Sequence, residues 1–227
     1  MADGESGDGS EKLKKLEYFL PTEVVLHNKP EDCWVSYLGG VYDLTELCYV
    51  WKYCREINPI LANAGKDISH WFDHEKGDIR YYVNPLTGVR VPYCPHGPIP
   101  DVGPSVPTTM WRPLDKCPWW LDDRYKQGYL TQNPRPCRII NSLTGHSAVI
   151  SVCEEDTIRR IQERFLTFNA HGGSYKWKFE GKSIDMNKTL TDNGILDERD
   201  RFVACGLSED IYVPSLVCYF NDDMTEA

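Results

Sequence analysis

The sequence lacks the features that would place it in a membrane or mark a common catalytic site. None of its apolar stretches approaches the roughly 20 residues of a membrane-spanning helix, and the amino-terminal residues lack the basic and apolar segments of a signal peptide. The patterns GxxxxGK(S/T), GxGxxG and GxSxG, which bind phosphates or carry nucleophiles, do not occur. We therefore expect an intracellular protein that does not span a membrane and is not an enzyme.

Basic residues are too few and too dispersed for a nucleic-acid surface. Lys and Arg number 25 against 34 Asp and Glu, a net charge of −9, and no segment forms a basic stripe. The nine cysteines are an odd number without a CxxC pair, which argues against a zinc finger or a disulfide scaffold and favours reduced thiols. Cys94 and His96, in a proline-rich turn, are one metal-ligating pair and by themselves do not define a site.

Three motifs in the first third of the chain resemble cytochrome b5-like haem domains. Residues 32–35 read DCWV, residues 40–45 read GVYDLT and residues 64–67 read AGKD, in the order that this family shows. The resemblance implies a small α+β unit that holds a haem between two axial histidines and transfers electrons. It also implies a helix over residues 64–77 that leads to the second iron ligand.

The histidines that ligate iron in that family are absent at both positions. The family carries an HPGG motif eleven residues before the turn, and Tyr53 stands at that position here. With the register set by the turn and the helix after it, Gly77 takes the second ligand position. His74 lies three residues earlier and His70 one further helical turn back.

Two interpretations of the haem site follow from these departures. Tyrosinate and histidine both ligate haem iron in proteins, so the resemblance implies a haem held by residues among four candidates: Tyr53, His74, His70 and Tyr82. Iron would then be bound only through haem, although two histidines four residues apart are also a metal-binding pattern on a helix. In the second interpretation the unit keeps the fold and lacks haem, with Tyr53 and Trp71 filling the cavity as core aromatics.

A proline-rich segment follows. Eleven of the fifteen prolines lie between residues 85 and 136, and proline disfavours both helices and central strands. A flexible linker would be rich in Gly and Ser, whereas this segment carries Trp111, Trp119 and Trp120, whose apolar area is costly to expose. We expect an extended strap that packs either on its own domains or, through these tryptophans, on a partner protein.

The last third of the chain shows a second pattern, which begins at Arg138. Two alternating strands around a Leu-Thr-Gly turn predict a hairpin, Asp156 or Thr157 can cap a helix, and residues 175–184 predict a strand and turn. Residues 201–204 are interpreted as the last strand, which completes the order ββαββ. The pattern resembles ubiquitin-like β-grasp domains. Because the chain ends in YFNDDMTEA instead of a Gly-Gly tail, we expect a docking surface and no ubiquitin-type conjugation.

These patterns predict an α+β protein with four parts. They are a disordered tail (1–15), a divergent cytochrome b5-like domain (16–84), a Pro/Trp-rich linker strap (85–135) and a ubiquitin-like β-grasp domain (136–227). The same arrangement, ending in Tyr-Phe-Asn-Asp-Asp, resembles a family of cytochrome b5 domain-containing proteins associated with motile cilia and axonemal radial spokes.

That resemblance implies a function in the cytoskeleton. It favours a structural docking protein of the ciliary axoneme that binds other radial spoke proteins and supports ciliary beating, with haem binding and redox sensitivity as an addition. The alternative is a soluble b5-type haem protein for electron transfer or redox sensing.

Overall fold

The computed structural model describes residues 17–103, 109, 115–169 and 175–220. The predicted disordered tail, residues 1–15, and Trp111 lie outside the described residues. In the described part the strands are β1 (Glu17–Phe19), β2 (Asn28–Lys29), β3 (Asp32–Tyr37), β4 (Gly40–Asp43), β5 (Tyr81–Val83), β6 (Arg90–Pro92), β7 (Lys126–Leu130), β8 (Pro134–Asn141), β9 (Ser147–Cys153), β10 (Tyr175–Phe179), β11 (Lys182–Ser183) and β12 (Ser215–Phe220). The α-helices are α1 (Pro21–Val24), α2 (Thr45–Val50), α3 (Asn58–Ala62), α4 (Ile158–Phe165) and α5 (Arg199–Ala204). None of these helices is long and apolar enough to cross a bilayer.

The first sheet has the strand order β1-β7-β4-β3-β2. Strands β3 and β4, which carry the DCWV and GVYDLT motifs, form a hairpin, and β3 buries Cys33, Val35 and Tyr37 on the core side. Strand β7 comes from the proline-rich segment and lies between β4, which is antiparallel to it, and β1, which is parallel. A Cβ added at Gly128 would stand 2.0 Å from the carbonyl oxygen of Glu17, so this close parallel pairing requires glycine.

The described residues of the strap therefore belong to the first structural unit. Its strand β7 completes the sheet, and Trp119 and Trp120 belong to the same buried cluster as residues of β3 and α2. The structure matches the alternative in which the strap packs on its own domain. The first unit thus extends beyond residue 84, through β7.

The second sheet has the strand order β11-β10-β12-β8-β9, with β12 parallel to β8 and the other neighbours antiparallel. Helix α4 packs on one face and buries Ile158, Ile161 and Phe165, with the Phe165 ring edge-on to Trp177 at 6.0 Å. The side chain of Thr157 accepts a hydrogen bond from the backbone N–H of Arg160, which confirms Thr157 as the N-cap.

The prediction of a strand at residues 201–204 is wrong. These residues belong to α5, and the fifth strand of the sheet is β12. The Asp197 carboxylate accepts a hydrogen bond from the backbone N–H of Arg199 at the start of α5, and Gly206 adopts a φ of 73° after its end. Local capping therefore closes a short helix where the apolar pattern alone suggested a strand.

A buried arginine joins the two units. Arg164 of α4 is paired with Asp156 at 2.7 Å, donates to the carbonyl oxygen of Tyr18 at 3.1 Å and forms an ion pair with Glu23. The Arg164 and Asp156 side chains are 8% and 3% exposed. Burial raises the pKa of the Asp156 carboxyl above its ordinary value, although the hydrogen bond from Arg164 opposes this shift. The charge of Arg164 thus balances a buried carboxylate and links the second unit to β1 and α1.

We expect Arg164→Ala to lower the free energy of unfolding by about 3 kcal/mol at neutral pH, because it leaves the Asp156 carboxylate buried and unpaired. Without its partner the pKa of Asp156 should rise further. An acid whose pKa is raised on folding destabilises the folded state while it is ionised, and this penalty disappears as the pH falls through the raised pKa. The deficit of the variant should therefore shrink between pH 7 and about pH 4.5, as measured by urea denaturation.

Arg160→Ala is the control for this prediction. Arg160 also pairs with an acid of the first unit, Glu17 at 2.7 Å, but both side chains are partly in solvent. We expect a loss below about 1 kcal/mol. Equal losses in the two variants, or a deficit in Arg164→Ala that does not depend on pH, would contradict the role of burial.

Candidate functional site

Two of the predicted haem ligands, Tyr53 and His74, lie in exposed turns. Tyr53 follows α2 and its side chain is 94% exposed, so it does not fill a cavity as a core aromatic. His74 is exposed in a loop that the bridge between Phe72 and Ile79 closes. Gly77, at the position aligned with the second axial histidine, has a φ of 65° in this loop. Neither position presents a buried ligand side chain to the interior.

The predicted helix over residues 64–77 is replaced by a short 3-10 helix (Ser69–Trp71) and the loop that contains His74. His70 and His74 therefore do not share a helical face. The His70 ring lies edge-on to His96 with centroids 5.7 Å apart, and both side chains are exposed. The described residues include no group of three or more His, Cys, Asp or Glu that could hold a metal ion.

The remaining candidate, Tyr82, is a surface residue of β5. Its ring lies edge-on to Tyr93 with centroids 5.9 Å apart. Tyr82 and His70 thus have different aromatic neighbours, while Tyr53 and His74 lie in separate exposed turns. Among the described residues, no aromatic-ring contact joins two of the four candidates, and all four side chains are exposed.

The interior between these segments is packed with aromatic rings. We call Tyr37, Tyr42, Phe72, Trp119 and Trp120 the aromatic cluster. The Tyr37 ring stacks on Tyr42 and Phe72, with centroids 4.0 and 4.4 Å away, and Trp119 lies edge-on to Tyr37 at 5.9 Å and to Trp120 at 5.7 Å. Edge-to-face and offset pairs of this kind add about 0.5–1.5 kcal/mol each to the effect of burial.

The two strap tryptophans are core residues and not exposed partner anchors. Trp119 is 1% exposed and Trp120 is 7% exposed. The Trp119 indole N–H donates to the carbonyl oxygen of Pro100 at 3.2 Å, and that of Trp120 donates to the Asp78 carboxylate at 2.9 Å. Because both indoles are buried with their polar atoms paired, they are not accessible to a partner, and the predicted role in partner binding does not fit this structure.

Tyr37 supports the Trp120 backbone as a neutral hydrogen-bond donor. Its hydroxyl donates to the carbonyl oxygen of Trp120 at 2.7 Å. Burial, together with the hydrogen bond to Tyr42, raises the pKa of Tyr37 well above its ordinary value. Its phenol is therefore protonated at physiological pH and is not a tyrosinate ligand in this state.

The residues present do not fit a haem held in the cytochrome b5 manner. Tyr53, at the first ligand position, is exposed, and the second ligand position is a glycine. Buried tryptophans fill the interior of the unit.

An exposed β-hairpin is the feature that the sequence reasoning missed. Strands β5 and β6 form a two-stranded sheet of their own, and we call its exposed apolar residues the hairpin surface: Tyr81, Tyr82, Val83, Leu86, Val89 and Tyr93. The available signal was a run of aromatic and β-branched residues, Tyr81 to Val83, before an Asn-Pro-Leu-Thr-Gly turn and the alternating Val89, Val91 and Tyr93 after it. Tyr81 and Val83 lie on one face of β5, and Tyr82, beside Tyr93, on the other. Exposed apolar patches commonly mark interaction sites.

Arg80 fixes the hairpin to the aromatic cluster. Its backbone N–H donates to the carbonyl oxygen of Trp71 at 3.0 Å, and its Nε donates to the carbonyl oxygen of Phe72 at 3.0 Å. Its own carbonyl oxygen accepts from the N–H of Tyr93 at 2.7 Å. The hairpin surface is thus held in a defined position on the first unit.

We expect the double variant Tyr53→Phe, His74→Ala to change the free energy of unfolding by less than about 0.5 kcal/mol, because both side chains are exposed. Phe72→Ala should instead cost about 3–5 kcal/mol, because it opens a cavity in the aromatic cluster. Urea denaturation followed by tryptophan fluorescence measures both. A large loss in the double variant would show that these residues are structural ligands or core residues after all.

Comparison with known proteins assigns the chain to a family. A model described as "Cytochrome b5-like Heme/Steroid binding domain" matches residues 21–83. "Cytochrome b5 domain-containing protein 1" of Xenopus tropicalis is 43% identical over 209 residues, which cover 92% of this chain and 96% of that protein. The protein of the same name from Homo sapiens is 44% identical over 210 residues, 92% of each chain.

A shorter match reaches "L-lactate dehydrogenase (cytochrome)" of Saccharomyces cerevisiae, 42% identical over 67 residues that cover 29% of this chain and 11% of that protein. The longer matches include the strap and the second unit, beyond the residues that the family model covers. The chain therefore belongs to the family of cytochrome b5 domain-containing protein 1, and its first unit contains a cytochrome b5-like domain of the heme/steroid-binding type.

Proposed function

We propose that this chain is a docking protein of the ciliary axoneme, associated with radial spokes, and that the hairpin surface is its main contact with an axonemal partner. The observation that carries the docking function is the exposure of the hairpin surface, where Leu86 is 93% exposed at the tip. Tyrosines suit the centres of interfaces because they bury a large apolar area with few rotatable bonds and carry a hydroxyl for hydrogen bonding. The ciliary setting rests on the family resemblance.

The β-hairpin also offers main-chain groups. Strands β5 and β6 pair only with each other among the described residues, so each has an edge with unpaired N–H and C=O groups. Open edges of this kind can receive a strand from another protein. The guanidinium of Arg90 lies 4.8 Å from the centroid of the Tyr81 ring, so one side of the surface combines an aromatic face with a positive charge.

The second unit would add a second contact surface. Its strand order, with β12 parallel to β8 in the middle and α4 across one face, supports the interpretation as a ubiquitin-like β-grasp domain. The proposed function requires no catalytic chemistry.

A soluble b5-type haem protein for electron transfer or redox sensing is the second candidate. The match of residues 21–83 to the heme/steroid-binding family model favours it. The exposed positions of Tyr53 and His74 weigh against it, because neither lies at a buried axial site.

Cosedimentation of the purified full chain with demembranated axonemes tests the docking function. We expect the triple variant Tyr81→Ser, Val83→Thr, Leu86→Ser to bind about 30-fold more weakly, the loss of roughly 2 kcal/mol that is typical of interface anchors. Its circular dichroism and thermal unfolding should stay close to those of the wild type, because the changed side chains are exposed.

The control is Tyr49→Ser with Tyr53→Ser. These tyrosines are 78% and 94% exposed but lie at the end of α2, outside the hairpin surface. We expect their loss to change binding by less than about twofold. The proposal fails if the hairpin variant binds axonemes as well as the wild type, or if the wild type does not bind them.

A further inference from the structure

The strap crosses the interval between the two segments that would carry iron ligands. On one side, the Trp120 indole donates to Asp78, the residue that follows Gly77 at the second ligand position. On the other side, the indoles pack on Tyr37 and Phe72, and the buried core that they complete also contains Leu47 and Cys48 of α2, the helix that leads to the first ligand position. The core that the two indoles complete therefore extends from the second of these segments to the helix that leads to the first.

The following residues continue across the same interval. Tyr125 is partly buried and packs against the same core, which includes Leu47 and Cys48 of α2. Burial, and after it the carboxylate of Glu46 on α2, raises the pKa of its phenol. Strand β7 then enters the sheet between β1 and β4. The strap thus runs from the loop around Gly77, past α2 and into the sheet.

Several hydrogen bonds specify this position of the strap. The backbone N–H of Trp119 donates to the Asp101 carboxylate at 3.2 Å, and Lys116 pairs with the same carboxylate at 3.0 Å. The hydrogen bonds of Tyr37 and Pro100 hold the Trp120 carbonyl and the Trp119 indole. The polar groups that the strap buries are thus hydrogen-bonded in place, as buried polar groups require.

We propose that Trp119 and Trp120 are the internal occupant of the prosthetic-group pocket of the cytochrome b5-like unit. Two flat apolar side chains replace a flat apolar cofactor, so that the unit completes its core with its own chain and folds without haem. Displacing the strap opens a site for a planar apolar ligand of the porphyrin class. This inference does not depend on the docking function.

Titration of the full-length protein with hemin, followed by the Soret band, tests the occupancy. We expect the wild type to show no saturable one-to-one binding. Trp119→Leu with Trp120→Leu shortens both side chains while keeping them apolar, and it should bind hemin at least about tenfold more tightly than the wild type. Hemin should also raise the thermal midpoint of this variant, because a ligand that binds only the folded state stabilises it.

Two controls test whether hemin binds because the pocket has been opened. They exclude that it binds through a ligand to iron or because the whole fold has become less stable. Iron-free protoporphyrin IX should bind the double variant about as well as hemin does, because the opened pocket has no buried axial ligand. Trp177→Leu removes an equally buried indole from the second unit and should leave hemin binding at the wild-type level. Trp120→Leu alone is the milder variant to use if the double variant does not fold, and it too should bind hemin more tightly than the wild type.

One-to-one binding of hemin by the wild type with the affinity of the Leu variants would overturn the proposal. So would a folded Leu variant that binds no better than the wild type. Either result would leave the axoneme-binding measurement unaffected, so the failure of this inference is distinguishable from a failure of the docking function.

Discussion

The insertion of the strap into the first unit is the interaction on which the rest of the structure depends. Strand β7 separates β1 from β4, and β1 has no other strand partner among the described residues. In turn β1 carries Glu17 and Tyr18, which meet Arg160 and Arg164 of α4. A segment that the composition marks as irregular therefore completes one core, holds the first strand and positions the contacts between the two units.

The contact between the two units depends on charged groups that are largely buried. Arg164 and Asp156 are both buried, and a charge in such a place is tolerated only with a partner and with further hydrogen bonds, which Tyr18 and Glu23 provide. A second contact, from Thr131 to the Glu155 carboxylate at 2.8 Å, lies just after β7. Two units held in a fixed relation lose less conformational freedom when they bind a partner, which suits a docking protein.

In this chain, the residues that define the family's fold are different from the residues at the positions that ligate iron. The DCWV and GVYDLT motifs supply Cys33, Val35 and Leu44 to the core, and they define the b5-like fold through packing. Iron ligation depends on different residues, and at those positions stand an exposed tyrosine and a glycine. A fold can thus retain its packing residues while the site that it usually carries changes, since fold and function rest on different side chains.

The sequence alone determined the elements whose signals are local. The β3–β4 hairpin, the capped helix α4 with its buried Ile158 and Ile161, and the strands β8 and β9 are readable from periodicity and turn residues. Residues 201–204 were misjudged because their short apolar pattern fits a strand as well as a helix. The turns at Asp197 and Gly206, on either side of α5, are compatible with the helix.

The tertiary structure alone decided what the strap and the predicted ligands do. Parallel pairing of Glu17 with Gly128 joins positions more than a hundred residues apart, and no local pattern encodes it. The burial of Trp119 and Trp120, and the exposure of Tyr53, follow from that long-range arrangement. An aromatic residue is compatible with a core, a ligand site or an interface, and only the neighbours that the fold brings to it determine which of these it becomes.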